Sequence, residues 1–350
     1  MRQNYSYDEA LIIYSSGTTG ESKGVILSHY AINTNADAII KYMKPAADDC
    51  FYIAKTLSHS STLTGELLVA LKSKINIIIA PVIVPPRYVF ENIQKFSASI
   101  MCVNPSLLRL LSREQTLKPY KLKSLKTIYV SGSILDSKTY IQAHNSFKGI
   151  AIYNVYGLSE LAPRVTAQTK NCCKSNSVGR PIDGVKIAIV NDCGEVVKPG
   201  ESGIIHVNSP SLFSGYVSGN LKYDSLYQGW LNTGDIGYID EDNELHINSR
   251  IDDLVIVNSH KIYPVDVESM ISEVTGVTEC AISKISYNAR EIIGCLYVGK
   301  NDSEKNLITN IRLKLASYEI PQVLIRCQEL PKSPNGKLLR NEVKKILENS

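Results

Sequence analysis

The segment Tyr14-Ser-Ser-Gly-Thr-Thr-Gly-Glu-Ser-Lys-Gly-Val25 gathers the residue types that hold a polyphosphate. Glycines let the backbone bend so that successive N–H groups converge on one point, and hydroxyls add further donors. Ser15, Ser16, Gly17, Thr18, Thr19 and Gly20 would form the cradle, with Lys23 as a mobile positive charge. The string is not a Walker A loop, because Gly-x-x-x-x-Gly-Lys-Ser/Thr does not occur in the chain. Farther on, Asn154-Val-Tyr-Gly-Leu-Ser-Glu160 sets an aromatic face suited to a purine close to a carboxylate suited to a hard cation. Three more strings stand out: Trp230-Leu-Asn-Thr-Gly-Asp235, Ser249-Arg-Ile-Asp-Asp-Leu254 and Pro331-Lys-Ser-Pro-Asn-Gly-Lys-Leu338. Taken singly, Thr-Gly-Asp and Pro-Asn-Gly-Lys read as ordinary turns.

The elements that must carry these strings alternate. Residues 10–14 form an apolar run that stops at the glycine-hydroxyl loop, and residues 25–40 read as a helix. Short apolar runs at 75–80, 100–103 and 127–130 are separated by helical patterns at 88–96 and 107–111, which predicts an α/β domain with a largely parallel sheet. The apolar run at 75–84 reads as a buried strand; broken by Pro81, it is too short to span a bilayer. From about residue 185 short strands with turns between them (185–190, 203–207, 237–239, 244–247) predict a small attached β-barrel or meander. After Asp252 the pattern is again mixed, with strands at 254–257, 279–285 and 292–298 and helices at 264–274 and 304–316. The expected division is therefore 1–251 and 252–350, the second the size of a small α+β domain.

Composition excludes little but bounds the partners. The 350 residues are 44% hydrophobic, and 38 basic against 34 acidic side chains leave a net charge of only +4, without long runs. That argues against nucleic acid or an anionic membrane as partner. Eight cysteines show no Cys-x-x-Cys spacing, so reduced thiols in a cytoplasmic protein are expected. Residues 1–9 have no signal-peptide pattern, and Met1 with its polar leader reads as a genuine start.

In order along the chain, these strings resemble the motifs of the adenylate-forming superfamily: acyl- and aryl-CoA synthetases, peptide-synthetase adenylation domains and luciferases. The resemblance implies ATP and Mg²⁺ as co-reactants and a carboxylic acid as substrate. It implies that the acid becomes an acyl-adenylate with release of pyrophosphate and then passes to a thiol. Tyr156 would stack on adenine with Asn154 by its amino group, Val155, Gly157, Leu158 and Ser159 would line the nucleotide, and Glu160 would hold Mg²⁺. Asp235 would accept from the ribose hydroxyls, Arg250 would lie by the ribose and phosphate, and Asp252 would be the hinge between domains. Lys337 would bridge the carboxylate and the α-phosphate, two anions that otherwise repel each other. Ser131, Gly132 and Ser133 occupy the place of a turn lining the adenine and acyl pockets, and His59 sits where many acid ligases carry a histidine beside the substrate. Ser61 stands where domains for α-amino acids carry an aspartate, so a small polar or hydroxylated acid is expected instead.

Two departures from the pattern matter. The phosphate loop lies closer to the N-terminus than in the family, so the resemblance implies a shortened N-terminal region without layers that cover apolar faces. Uncovered apolar area is unfavourable by about 25 cal/mol per Å², which predicts a remodelled core, a homodimer or a partner chain on that face. Secondly, Ile256 and Ser259 replace a Lys-x-x-Gly pattern found in many CoA ligases. The face around Ser259 and Lys261 would guide the thiol. The replacement favours 4'-phosphopantetheine on an acyl carrier protein over coenzyme A. The alternative reading is a catalytically silent adenylate-binding relative acting as a scaffold or partner subunit; retention of Lys23, Glu160, Asp235 and Lys337 argues against it.

Overall fold

A computed structural model describes residues 7–16, 22–80, 85–217, 226–257, 260–287, 290–299, 304–333 and 338–349. The chain divides into two compact units, Met1–Leu135 with Thr139–Ile247, and Asp136–Lys138 with Asn248–Ser350.

In the first unit the strands Glu9–Ser16 and Ser22–Ser28 form an antiparallel hairpin. β-Branched Val25 and Ile26 fall opposite Ile13 and Ile12 there, a pairing that suits a pleated surface. This corrects the expected helix start at residue 25. The helix runs His29–Met43, and the Ser28 hydroxyl accepts from the Ala31 N–H at 3.1 Å to cap it.

Next comes a seven-stranded sheet. Its first five strands are parallel, in the order Asn76–Ile79, Cys50–Ile53, Ile100–Val103, Thr127–Val130, Ala151–Gly157. Arg164–Ala167 and Arg180–Pro181 continue it antiparallel. Alternation along these strands sends Phe51, Ile53, Cys102 and Tyr129 toward the helix His29–Met43. It sends Tyr52, Met101, Val103 and Ile128 toward the helices Pro86–Phe96 and Pro105–Leu117 on the other face. The strand Asn76–Ile79 was expected to be buried, yet Ile79 is 56% exposed. It sits at the sheet edge, where among the described residues one flank has no neighbouring strand. Residues 81–84 of that apolar run lie outside the described residues.

The expected small β-element is a five-stranded sheet of Lys186–Val190, Gly203–Asn208, Trp230–Ile239, Leu226–Tyr227 and Leu245–Arg250. Its Ile189, Ile205, Val207, Leu231 and Leu245 complete the same hydrophobic core as Phe51 and Tyr129.

The second unit is built on an antiparallel pair, Val277–Tyr287 with Arg290–Gly299, to which Val323–Cys327 adds in parallel. Ile282 and Ile293 pack on Val267 and Ile271 of the helix Pro264–Ser272. On the opposite face Ala281, Ile285 and Leu296 pack on Val343 and Leu347 of the helix Arg340–Glu348. The α/β unit with an attached β-element and the smaller α+β unit are those the periodicity predicts.

Candidate active site

Ligands of α/β sheets bind beyond the carboxyl ends of the strands, and the first cluster of site residues lies there. Tyr156 is near the end of Ala151–Gly157, and its hydroxyl donates to Asp235 Oδ2 at 2.5 Å. Gly157 closes the strand because a Cβ there would come within 2.0 Å of the Pro163 carbonyl oxygen. Asp235 is not in a turn, as its motif suggested, but inside the strand Trp230–Ile239. Across from it Ile204 pairs with Ile236 while His206 pairs with Asn232, so the register shifts at Thr233–Asp235. Gly234 takes up the irregularity at φ 71°. Thr233 Oγ1 accepts from the Asp235 N–H at 3.1 Å and donates to the Ile205 carbonyl at 2.8 Å, which fixes the bulge. Bulges of this kind re-aim one side chain, here a buried carboxylate. Asn154 is buried and donates from Nδ2 to the Ser177 carbonyl at 3.2 Å. Val155 packs into the core, so what it offers a ligand is main chain. Leu158 precedes the short helical turn Ser159–Leu161, which carries Glu160.

A second cluster joins Lys23, Tyr216 and Glu160. Lys23 lies on Ser22–Ser28, and Tyr216 pairs with the same strand opposite Val25. The Tyr216 hydroxyl donates to Glu160 Oε1 at 2.8 Å, and Lys23 Nζ stands 5.7 Å from the centre of the Tyr216 ring. The Phe213 N–H donates to the Glu160 carbonyl at 2.8 Å, holding the acidic residue from behind. A cation, an aromatic ring and a carboxylate thus stand in series. The backbones of Ser15 and Ser16 end the hairpin strand opposite Lys23 and Ser22, whereas Gly17, Thr18, Thr19 and Gly20 lie outside the described residues. Tyr216 was missed by sequence reasoning; the signal was a lone Gly-Tyr after an apolar turn, too common to single out.

The third cluster forms one wall. Ser131 follows the strand Thr127–Val130 and donates its N–H to the Val103 carbonyl at 2.9 Å, while Gly132 and Ser133 are exposed. His59 begins the helical segment Ser60–Ser73, whose middle turn, Leu63–Leu67, is widened to π-helix, a feature frequent at functional sites. Ser61 is half-buried on it, and the neighbouring Ser60 meets Ser159 with 3.1 Å between hydroxyls. Lys55 Nζ reaches the Ser131 hydroxyl at 3.4 Å and Glu66 Oε1 at 2.6 Å. Burial pushes the Glu66 carboxyl above its usual range, against the pull of Lys55 and Arg164. Sequence reasoning missed Lys55, Glu66 and Arg164 as well: each is a single charge in an apolar run, 11 and 98 positions apart along the chain (66 − 55 and 164 − 66).

In the second unit Arg250 ends the strand Leu245–Arg250 and precedes the turn Ile251–Asp253, where Asp252 is exposed. Lys261 is exposed on the hairpin Val255–Val257 with His260–Ile262, directly opposite Ile256. Ser259 and Lys337 lie outside the described residues. The chain on either side of Lys337 is fixed: Lys332 and Leu338 form a β-bridge, and the Leu339 N–H donates to the Pro331 carbonyl at 2.9 Å. Just beyond, Arg340 forks onto Glu268 (2.7 and 3.0 Å) and pairs with Asp253 at 3.3 Å.

Among the described residues no group of three or more His, Cys, Asp or Glu could hold a metal by itself. A magnesium site that uses one carboxylate and leaves the remaining positions to phosphate and water matches that donor set. Among the described residues no helix is long and apolar enough to cross a membrane.

An aromatic ring bonded to a buried carboxylate, and a lysine, a tyrosine and a second carboxylate in series, are the donor set of a nucleotide-binding enzyme that activates an acid, and the comparisons with known proteins give that class. Residues 3–217 match the family described as AMP-binding enzyme, and residues 266–337 match the AMP-binding enzyme C-terminal domain. The chain belongs to that family of adenylate-forming ligases. Similar proteins include a 2-succinylbenzoate–CoA ligase of Bacillus mycoides, 28% identical over 99% of this chain and 72% of that protein. An indoleacetate–CoA ligase of Aromatoleum aromaticum is 26% identical over 96% of this chain and 67% of its own length. Among solved structures, an o-succinylbenzoate coenzyme A synthetase of Bacillus subtilis in complex with ATP and magnesium superposes with a TM-score of 0.85. It is 26% identical over 95% of this chain and 69% of that one.

Proposed function

We propose that the chain uses ATP to turn a carboxylic acid into an acyl-adenylate and then transfers the acyl group to a thiol. The observation that carries this reading is the series Lys23–Tyr216–Glu160 set next to Tyr156–Asp235 in one unit. Asp235 and Tyr156 would take the ribose and base. Lys23 and the hydroxyl loop would take the phosphates. Glu160, with one oxygen already held by Tyr216, would offer its other oxygen to Mg²⁺, whose charge would offset the phosphates. Lys337 would place a compact positive charge where carboxylate and α-phosphate meet, and such stabilisation contributes roughly 100-fold or more to rate.

The decisive measurement is ATP–pyrophosphate exchange with a panel of acids. Lys337→Ala should lower exchange roughly 100-fold while ATP binding by calorimetry stays near that of the unaltered protein. Unchanged exchange would remove Lys337 from the reaction. For the acceptor, the names of the relatives support coenzyme A. A carrier-borne phosphopantetheine is the finer reading that Ile256, exposed opposite Lys261, supports. Thioester formation tested with both donors separates the two. Ile12 and Tyr14, both exposed on the hairpin, support a second chain or copy on that face, which light scattering would reveal. Eight unpaired thiols support a reducing compartment such as the cytoplasm.

A further inference from the structure

The wall made by Lys55, Glu66 and Arg164 buries two cations against one carboxylate. Glu66 is 1% exposed at its side chain and takes Lys55 at 2.6 Å. Arg164 is only 2% exposed, and among the described residues no carboxylate lies within 4.0 Å of its guanidinium. Its Nε is buried without a hydrogen-bond partner. A guanidinium does not shed its proton in a protein, so its charge must be met by an anion. Arg164 is placed beside the widened turn: a Cβ built on Gly65 would stand 3.8 Å from Nη2, and the Arg164 charge acts on Glu66 and on the hydroxyl of Tyr42.

Besides the two Glu66 oxygens, the unmet polar atoms of this wall are hydroxyl and imidazole groups that can donate. Thr62 Oγ1 and His59 Nε2 are buried without partners among the described residues, and the Tyr42 hydroxyl faces Arg164. Thr62 precedes Glu66 by four residues on the same helical segment, and His59, which caps that segment, precedes Thr62 by three. This wall borders the nucleotide cradle through Lys55–Ser131 and Ser60–Ser159. One surplus positive charge, in a wall that also carries hydroxyl and imidazole groups able to donate, calls for a planar group with acceptor oxygens and a negative charge.

We infer that the acid activated here carries a second anionic group, in the simplest case a second carboxylate, held by Arg164 while the first carboxylate reacts. The inference rests on the proposed acid-activating reaction and names its substrate class. Arg164 then determines specificity.

The test measures binding and turnover separately. Calorimetry in the presence of AMP compares succinate, glutarate and phthalate with butyrate, valerate and benzoate, each diacid against its monoacid of similar size. At least one diacid should bind roughly 30-fold or more tightly than its monoacid, the scale of a buried charge pair. Arg164→Met should erase that ratio, and Arg164→Lys should restore part of it; melting temperatures verify folding, with Arg164→Gln as the substitute if Arg164→Met does not fold. Equal binding of every diacid and its monoacid, or a ratio unchanged in Arg164→Met, overturns the inference. Exchange assays on the same panel report on the reaction itself. Diacid preference without exchange would sink the reaction and keep the subsite, and exchange supported equally by monoacids would do the reverse.

Discussion

Two carboxylates of this protein meet a lysine at nearly the same distance and respond in opposite ways. Asp49 takes Lys126 at 2.7 Å, and Glu66 takes Lys55 at 2.6 Å. Burial works to raise both, yet Asp49 is held below the usual carboxylate range and Glu66 above it. The difference is completeness. Asp49 also accepts from the Ser99 hydroxyl at 2.7 Å and from the Ala46 N–H at 2.8 Å, while both Glu66 oxygens lack a well-formed hydrogen bond. A lysine nearby does not make a buried carboxylate comfortable; a full set of donors does. Asp49 closes a finished structural joint between the strand Cys50–Ile53 and its neighbours. Glu66 belongs to a wall whose hydrogen bonds are unfinished by the protein's own groups.

Three experiments would sharpen or break this contrast. The largest effect is expected from Asp49→Ala, which strands the Ser99 hydroxyl and the Ala46 N–H and should cost about 3 kcal/mol in urea unfolding. Lys126, 55% exposed at its side chain, rehydrates and adds little. A cost under about 0.5 kcal/mol would mean the joint is not finished in the sense argued. Next, Lys55→Met and Glu66→Met should each destabilise, but the double variant should be less harmed than their sum by about 2 kcal/mol. Additive effects would dissolve the pair.

The smallest effect is in the pH dependence, where the signs are opposite. The folded-state pKa of Asp49 is depressed, so its contribution is fully present above the unfolded value of about 3.9 and fades as pH falls through the folded value. That of Glu66 is raised, so the cost of burying its charge is present at neutral pH and is relieved as pH falls through its folded value. Asp49→Asn should flatten the acid-side loss of stability, and Glu66→Gln should remove a gain in mild acid. Melting curves from neutral to about pH 3 that move the same way in both variants would refute the contrast.

The same contrast explains what could be read from the sequence. Alternating apolar runs disclosed the parallel sheet, since its inner strands are buried on both faces and separated by helices. The strings around Tyr156 and Asp235 pointed to residues that now share a hydrogen bond across 79 positions. Val25 misled because a helical face and a paired strand both accept an apolar β-branched residue, and only the partner strand decides. Thr233-Gly-Asp235 misled because a bulge uses the residues of a turn. Lys55, Glu66 and Arg164 left no trace in spacing, because their meaning arises only when three distant elements bury them together.

That bulge also limits how the strand Trp230–Ile239 can change. Three residues, Thr233 to Asp235, stand opposite the single Ile205, so deleting Gly234 would leave two opposite one and, because neighbouring side chains point to opposite faces, swing Asp235 off the Tyr156 hydroxyl. Substitutions can accumulate along this strand, but insertions and deletions cannot. Its length is as much a part of the Tyr156–Asp235 contact as the carboxylate itself.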